Sequence, residues 1–173
     1  MTIGKARESL PLLRFDDVVR SSRFARTALF AEPRRLVAVD GVSFSLQPGR
    51  TLGLVGESGS GKSTVGKMIL RLERPDRGLV LFEGRDVFAK GRAEAREYCA
   101  QVQVVLQDPY GALSPRMRIG SIVTEPLMAQ GVGRGEAAER AAEMLELVGL
   151  DPAMMQRHPH QFSGGQRQRI AIA

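Results

Sequence analysis

The stretch Gly56-Glu57-Ser58-Gly59-Ser60-Gly61-Lys62-Ser63-Thr64 constrains the fold of this chain more than any other. It fits the pattern G-x-x-x-x-G-K-[ST]. The apolar run before it, Thr51 to Val55, reads as a short buried strand, and Val65 to Leu72 reads as a helix. Strand, glycine loop and helix in that order form a cradle for phosphate. Gly56, Gly59 and Gly61 can adopt backbone angles closed to residues with a Cβ, so successive N–H groups converge on anionic oxygens. The helix beginning near Lys62 adds unpaired N–H groups and the positive end of its dipole. Lys62 supplies a cation for the β- and γ-phosphates of a nucleoside triphosphate, and the Ser63 hydroxyl a ligand for Mg²⁺. The expected phosphate-binding set is therefore Gly56, Ser58, Gly59, Ser60, Gly61, Lys62, Ser63 and Thr64.

The rest of the chain is patterned as an α/β protein. Leu12 to Val19 reads as a first strand, Arg20 to Arg35 as a basic loop, and Leu36 to Leu46 as a second strand closed by the turn Pro48-Gly49. After the loop helix, Pro75 to Gly78 breaks the chain, Leu79 to Phe82 returns as a strand ending at Gly84, and Arg92 to Tyr98 is compatible with a helix. Val102 to Leu106 reads as a further core strand. Helical character then takes over: Ile119 to Gln130, a glycine-rich break, and Glu136 to Val148, with Ala137, Ala141, Met144, Leu145 and Val148 on one face and Gly149 as the C-terminal cap.

Composition narrows the partners. A formal charge of +6 favours acidic ones, but aromatic residues are only 5% of the chain and the basic residues are scattered, so no base-stacking platform is indicated and nucleic acid is not expected. The single cysteine, Cys99, excludes an intrachain disulfide, suits a reducing compartment and reads as a packed thiol. No run approaches the roughly 18 apolar residues of a membrane span. A soluble chain is expected.

A second anion site is indicated by Phe162-Ser163-Gly164-Gly165-Gln166, where small residues open a helix running to Ala173. The phosphate loop, the corner Gln107-Asp108-Pro109 and this last segment, in this order, resemble the ATP-binding cassette (ABC) ATPases, as their Walker A motif, Q-loop and signature. Ala38 to Phe44, Gln107 to Arg116 and His158 to Phe162 further resemble the ATPase subunits of oligopeptide, dipeptide and nickel importers. The implied fold is a P-loop NTPase core with an antiparallel β subdomain and an inserted α-helical subdomain, the C-terminal part of the core missing. Within that frame residues 1–106 are the β subdomain and P-loop core, 107–162 the Q-loop and helical subdomain, and 163–173 the start of the signature helix.

The resemblance implies ATP and Mg²⁺ as ligands and a second ATPase subunit, identical or related, facing the first head to tail. Ser163, Gly164, Gly165 and Gln166 then act in trans on the nucleotide held by the partner, and Gln107 reaches the Mg²⁺ and the attacking water. Residues 108–160 touch transmembrane permease subunits, served in turn by a solute-binding protein. The location implied is peripheral, on the cytoplasmic face of the inner or plasma membrane. Met154, Met155 and Arg157 are candidates for the permease contact, with core filling as the commoner role for such methionines. The family's adenine-stacking aromatic aligns near Ser22 to Phe24; Phe24 is the candidate, and packing beneath its own loop is the alternative.

The chain stops at Ala173, ahead of the apolar strand, Walker B aspartate and catalytic glutamate that follow the signature in the family, and ahead of its switch histidine. His158 and His160 precede the signature and do not replace that histidine. The chain alone is accordingly expected to hydrolyse ATP poorly, to leave Leu52, Leu54, Val104 and Leu106 poorly covered, and to be marginally stable. Two other readings stay open: a cassette ATPase acting on nucleic acid or the ribosome, and a non-catalytic binding module.

Overall fold

The structure is a computed structural model that describes residues 10–23, 35–89, 91–108, 111 and 113–173. Two compact units make up the chain, divided between Val102 and Gln103.

The first unit is built on an antiparallel sheet of β1 (Leu13–Arg23), β2 (Arg35–Leu46), β3 (Arg77–Phe82) and β4 (Arg85–Asp86), in the order β2-β1-β3-β4. Leu13 and Phe15 point into the core with the period of two that a half-buried strand demands, but Val18 is buried where strict alternation would bury Asp17. A register shift between Phe15 and Val18 accounts for the slip. Asp17 takes φ 47° and donates its amide to Ser43 Oγ at 2.9 Å, so one extra residue is absorbed and the apolar face resumes at Val18. Gly78 lies against this bulge, where a Cβ would stand 2.3 Å from the Asp17 carbonyl oxygen. Phe15 and Phe44 face each other across the ladder and their rings stack at 4.5 Å.

Helices α1 (Lys62–Ile69) and α2 (Arg92–Gln101) contribute Val65, Met68 and Tyr98 to the same core as Phe15, Val80, Phe82 and Val87. Each fully buried side chain of this size contributes about 1.5–3 kcal/mol. The Tyr98 ring meets Phe82 edge-on at 5.2 Å while its hydroxyl donates to the Ile69 carbonyl at 2.6 Å, which ties α2 to the end of α1. Cys99, expected as a packed thiol, is exposed. Successive helical residues point about 100° apart, so Tyr98 and Cys99 cannot both face the core.

Several boundaries differ from expectation. β1 runs on to Arg23, into the stretch read as loop, and β3 begins at Arg77. α1 starts at Lys62 and ends at Ile69, because Arg71 turns left-handed (φ 59°) and Leu72 is 70% exposed. Thr51 to Val55 and Val102 to Leu106 form no strand. Hydropathy supplies an apolar run, but a strand exists only through a ladder to a neighbour, and the sheet pairs no strand of the described residues with either run. Leu52, Leu54, Val104 and Leu106 are 46%, 46%, 50% and 54% exposed, the poor coverage expected of them.

The second unit holds α3 (Ile119–Ala129), α4 (Arg134–Leu147), 3₁₀ turns at Pro152–Gln156 and Pro159–Gln161, and α5 (Gly164–Ile172). Ile119, Val123, Ala141, Leu145, Leu150, Phe162 and Ile170 form its core, and Met154 and Met155 pack against it. Ala137, Ala141 and Leu145 are buried on α4 as the 3.6-residue period requires, whereas Met144, at the edge of that stripe, is 36% exposed. Gly149 (φ 73°) closes α4: its amide donates to the Glu146 carbonyl and that of Leu150 to the Leu145 carbonyl, both at 2.9 Å. Among the described residues no helix is long and apolar enough to cross a membrane.

Candidate nucleotide-binding site

Residues 51–57 carry no regular structure, a turn follows at Ser58-Gly59, and Gly61 leads into α1. Gly59 and Gly61 have φ 84° and 89°, in the region where a Cβ is strained. At Gly61 the requirement is double, because a Cβ would stand 2.1 Å from the Ala38 carbonyl oxygen. The loop thus rests on the backbone of β2, and that contact fixes where α1 begins.

No side chain caps α1 and its first turn holds no acidic residue. Its first intrahelical bond runs from the Val65 amide to the Gly61 carbonyl at 3.0 Å, so the amides of Lys62, Ser63 and Thr64 lack partners within the helix and the positive end of its dipole is uncompensated. The Lys62 ammonium donates to the carbonyls of Gly56 (2.8 Å) and Glu57 (2.6 Å) and to Ser60 Oγ (3.2 Å), which stretches the side chain back over the loop. Beside it lies a cleft of about 200 Å³, lined by Ala38, Val39, Asp40, Val42, Leu54 and Val55 together with Ser60 to Lys62 and Val65. Free amides, a held ammonium and small residues can grip phosphate oxygens, and Ser63, exposed at the helix start, has the hydroxyl a Mg²⁺ ion prefers.

The far end of α1 is anchored by charge. Glu73 bonds Lys67 and Arg20, each at 3.2 Å, and Arg20 also reaches Asp76 at 3.1 Å. Burial would raise the Glu73 pKa, but the bonds from Lys67 and Arg20 outweigh it and hold the carboxyl below its usual range. Asp76 is lowered as well, first by the Ser21 hydroxyl at 2.6 Å, then by the Ser21 amide at 2.7 Å, with Arg20 adding to both. No sequence pattern links residues 20, 73 and 76; this network comes from the register of β1.

In the second unit, Gln107 is exposed at the end of the irregular stretch from Val102. Ser163 caps α5 in a reciprocal box: its Oγ accepts from the Gln166 amide at 3.3 Å, and Gln166 Oε1 accepts from the Ser163 amide at 3.0 Å. The Ser163 hydroxyl proton remains to be donated. Gly165 is open on the side where a Cβ would stand. Behind the box, Arg167 Nε donates to the Pro159 carbonyl at 2.8 Å and the Arg157 guanidinium lies over Phe162 at 5.1 Å. Arg157 thus lies exposed against Phe162, and the His158 and His160 rings stack at 5.7 Å. Phe24 lies outside the described residues, as do Pro109, Tyr110 and Ala112. The Ser60 contact and the Ala38 support had no signal in the sequence, whereas Ser163-x-x-Gln166 is itself a capping-box pattern that could have been read.

Fold and glycine loop together define a P-loop NTPase of the cassette type. The profile of the family described as "ABC transporter" matches residues 39–173, and the chain belongs to that family. The glutathione import ATP-binding protein GsiA of Salmonella paratyphi A is 46% identical over 169 residues, which cover 96% of this chain and 27% of that protein. A putative peptide import ATP-binding protein of Brucella ovis is 49% identical over 139 residues, 80% of this chain and 44% of that one. The chain therefore spans less than half the length of either relative. Among solved structures, the ATP-binding cassette MJ0796 bound to ADP and Pi, a dimer, matches with a TM-score of 0.72 and 25% identity over 92% of this chain and 67% of that one. CbiO1 of Clostridium perfringens, part of the ABC transporter complex cbiONQ, shares the fold at 20% identity, with a TM-score of 0.71 over 94% and 59% of the two chains.

Proposed function

We propose that this chain is the nucleotide-binding part of an import ATPase: it takes up MgATP at Gly56–Thr64 and couples that uptake to the passage of peptides or related small solutes through permease subunits at the cytoplasmic face of the membrane. The observation that carries the reading is the Lys62 ammonium held over a loop whose helix presents three amides without intrahelical partners. The names of the Salmonella and Brucella relatives support the solute class.

On this reading the amides from Gly59 to Thr64 and the Lys62 ammonium bind the triphosphate, and Ser63 with Gln107 holds Mg²⁺, whose charge would neutralise the phosphate oxygens. Ser163, Gly164 and Gly165 of a second ATPase subunit, identical or related, complete the nucleotide site, their helix N-terminus facing negative charge. Gln166 keeps the Ser163 amide occupied and leaves the hydroxyl free to donate. Phe24 is the candidate to stack on adenine. ATP favours the paired state because it contacts both subunits, and ADP favours it less, which is the differential binding a population shift requires.

Calorimetry and light scattering with MgATP test the proposal. Lys62→Ala should abolish uptake. Ser163→Arg should leave uptake by the monomer intact while preventing nucleotide-dependent pairing; loss of monomer uptake in Ser163→Arg would refute the in-trans role, and lack of MgATP uptake by the unaltered chain would refute the whole reading.

A further inference from the structure

An ammonium group has three N–H donors and no acceptor, and three oxygens meet the Lys62 ammonium: the Gly56 carbonyl at 2.8 Å, the Glu57 carbonyl at 2.6 Å and the Ser60 hydroxyl at 3.2 Å. The two carbonyls belong to the backbone of the loop, so they part from the ammonium only if the loop refolds or the whole Lys62 side chain swings away. The hydroxyl makes the longest of the three contacts, and one χ1 rotation between staggered wells removes it. Gly56 makes room for it, since a Cβ at residue 56 would stand 2.6 Å from Ser60 Oγ and 3.3 Å from Ser60 Cβ.

We propose that the Ser60 hydroxyl is a placeholder for a phosphate oxygen on Lys62: it accepts the third ammonium N–H before a triphosphate arrives, and the incoming oxygen takes that N–H in its stead. This rests on the reading of Gly56–Thr64 as a triphosphate site. Because the carbonyl contacts already hold the ammonium over the loop, it is oriented before binding and the Ser60 contact is the first to be exchanged, so little side-chain freedom is lost on binding. The exchange replaces a neutral acceptor by an anionic one, which makes a shorter and stronger bond. Ser60 is thus a positioning residue that also competes with the substrate and sets how readily Lys62 is given up. Removing the hydroxyl leaves the third N–H to water, since Ser60 is exposed, and leaves both carbonyl contacts in place.

Calorimetric titration of the unaltered chain, Ser60→Ala and Ser60→Cys with MgATP and with AMP tests the proposal, alongside thermal melts without nucleotide. Ser60→Ala should tighten MgATP binding by about two- to fivefold. Ser60→Cys, whose sulfur is a weak acceptor, should move the same way by less. AMP, which lacks the β- and γ-phosphates that Lys62 serves, should bind no differently to any of the three. MgATP binding that is equal or weaker in both variants, at an unchanged melting temperature, overturns the placeholder role while leaving the triphosphate site standing. Lack of MgATP uptake by the unaltered chain overturns both.

Discussion

Three glycines of the phosphate loop and its helix form a series in which backbone strain and steric room vary separately. Gly61→Ala places a Cβ on a residue at φ 89°, which costs about 1–2 kcal/mol. That Cβ would also stand 2.1 Å from the Ala38 carbonyl oxygen and 3.2 Å from its carbon. Relief requires the loop to withdraw by roughly 1 Å from a strand paired along its length with β1, and such overpacking costs about a further 1–3 kcal/mol. Gly59→Ala carries the same strain at φ 84° with nothing within 4 Å, so about 1–2 kcal/mol is the whole penalty. Gly66→Ala, inside α1 and also with nothing within 4 Å, should stabilise by about 0.5–1 kcal/mol. Urea denaturation followed by a probe in the first unit gives the three differences. A Gly61→Ala penalty no larger than that of Gly59→Ala would refute the claim that β2 supports the loop through the Ala38 carbonyl.

Two further predictions concern burial and capping. Burial pushes the Tyr98 pKa up to about 12, so its contribution is present in full below about pH 10 and lost as pH rises from there towards 12; urea titrations should show roughly 2–3 kcal/mol of alkaline loss, absent in Tyr98→Phe. Ser163→Ala should destabilise the second unit by about 1 kcal/mol, whereas Gln166→Glu, which keeps the reciprocal box, should be neutral or stabilising by a few tenths; hydrogen exchange at the Ser163 amide reads both, and faster exchange in Gln166→Glu would refute the box.

The elements that were legible in the sequence are those whose stability is local. α4 announces itself through Ala137, Ala141 and Leu145 at helical spacing and through Gly149 just beyond its end, because a helix satisfies its own backbone and needs one face only. The strands were legible only where a partner follows at hairpin distance. Residues 13–19 and 36–46 pair with each other, and 13–19 pair with β3 on their other side, while Thr51–Val55 and Val102–Leu106 have the same apolar character and no ladder. The bulge at Asp17 was hidden for a related reason: the pattern Leu13, Phe15 fixes a face but cannot say where the period slips, and the slip is set by Ser43 and Gly78, far away in sequence.

At the site, residue type points to the proposed chemistry and the fold sets how the groups are held. Lysine after the last glycine and serine after lysine are readable because phosphate and magnesium demand those groups at that spacing. Nothing in the spacing tells that Gly61 must avoid a carbonyl of β2, or that the lysine ammonium is already held by two carbonyls and a hydroxyl. These are consequences of the order in which contacts are satisfied. The loop resting on Ala38 fixes the start of α1, the start of α1 decides which amides are left without partners, and Lys62, the first residue of α1, then turns back to the loop's own oxygens. On the proposed function, grip on a triphosphate therefore depends on β2, loop and α1 together, and a substitution in β2 that moves Ala38 should weaken MgATP uptake without touching any residue of the glycine motif.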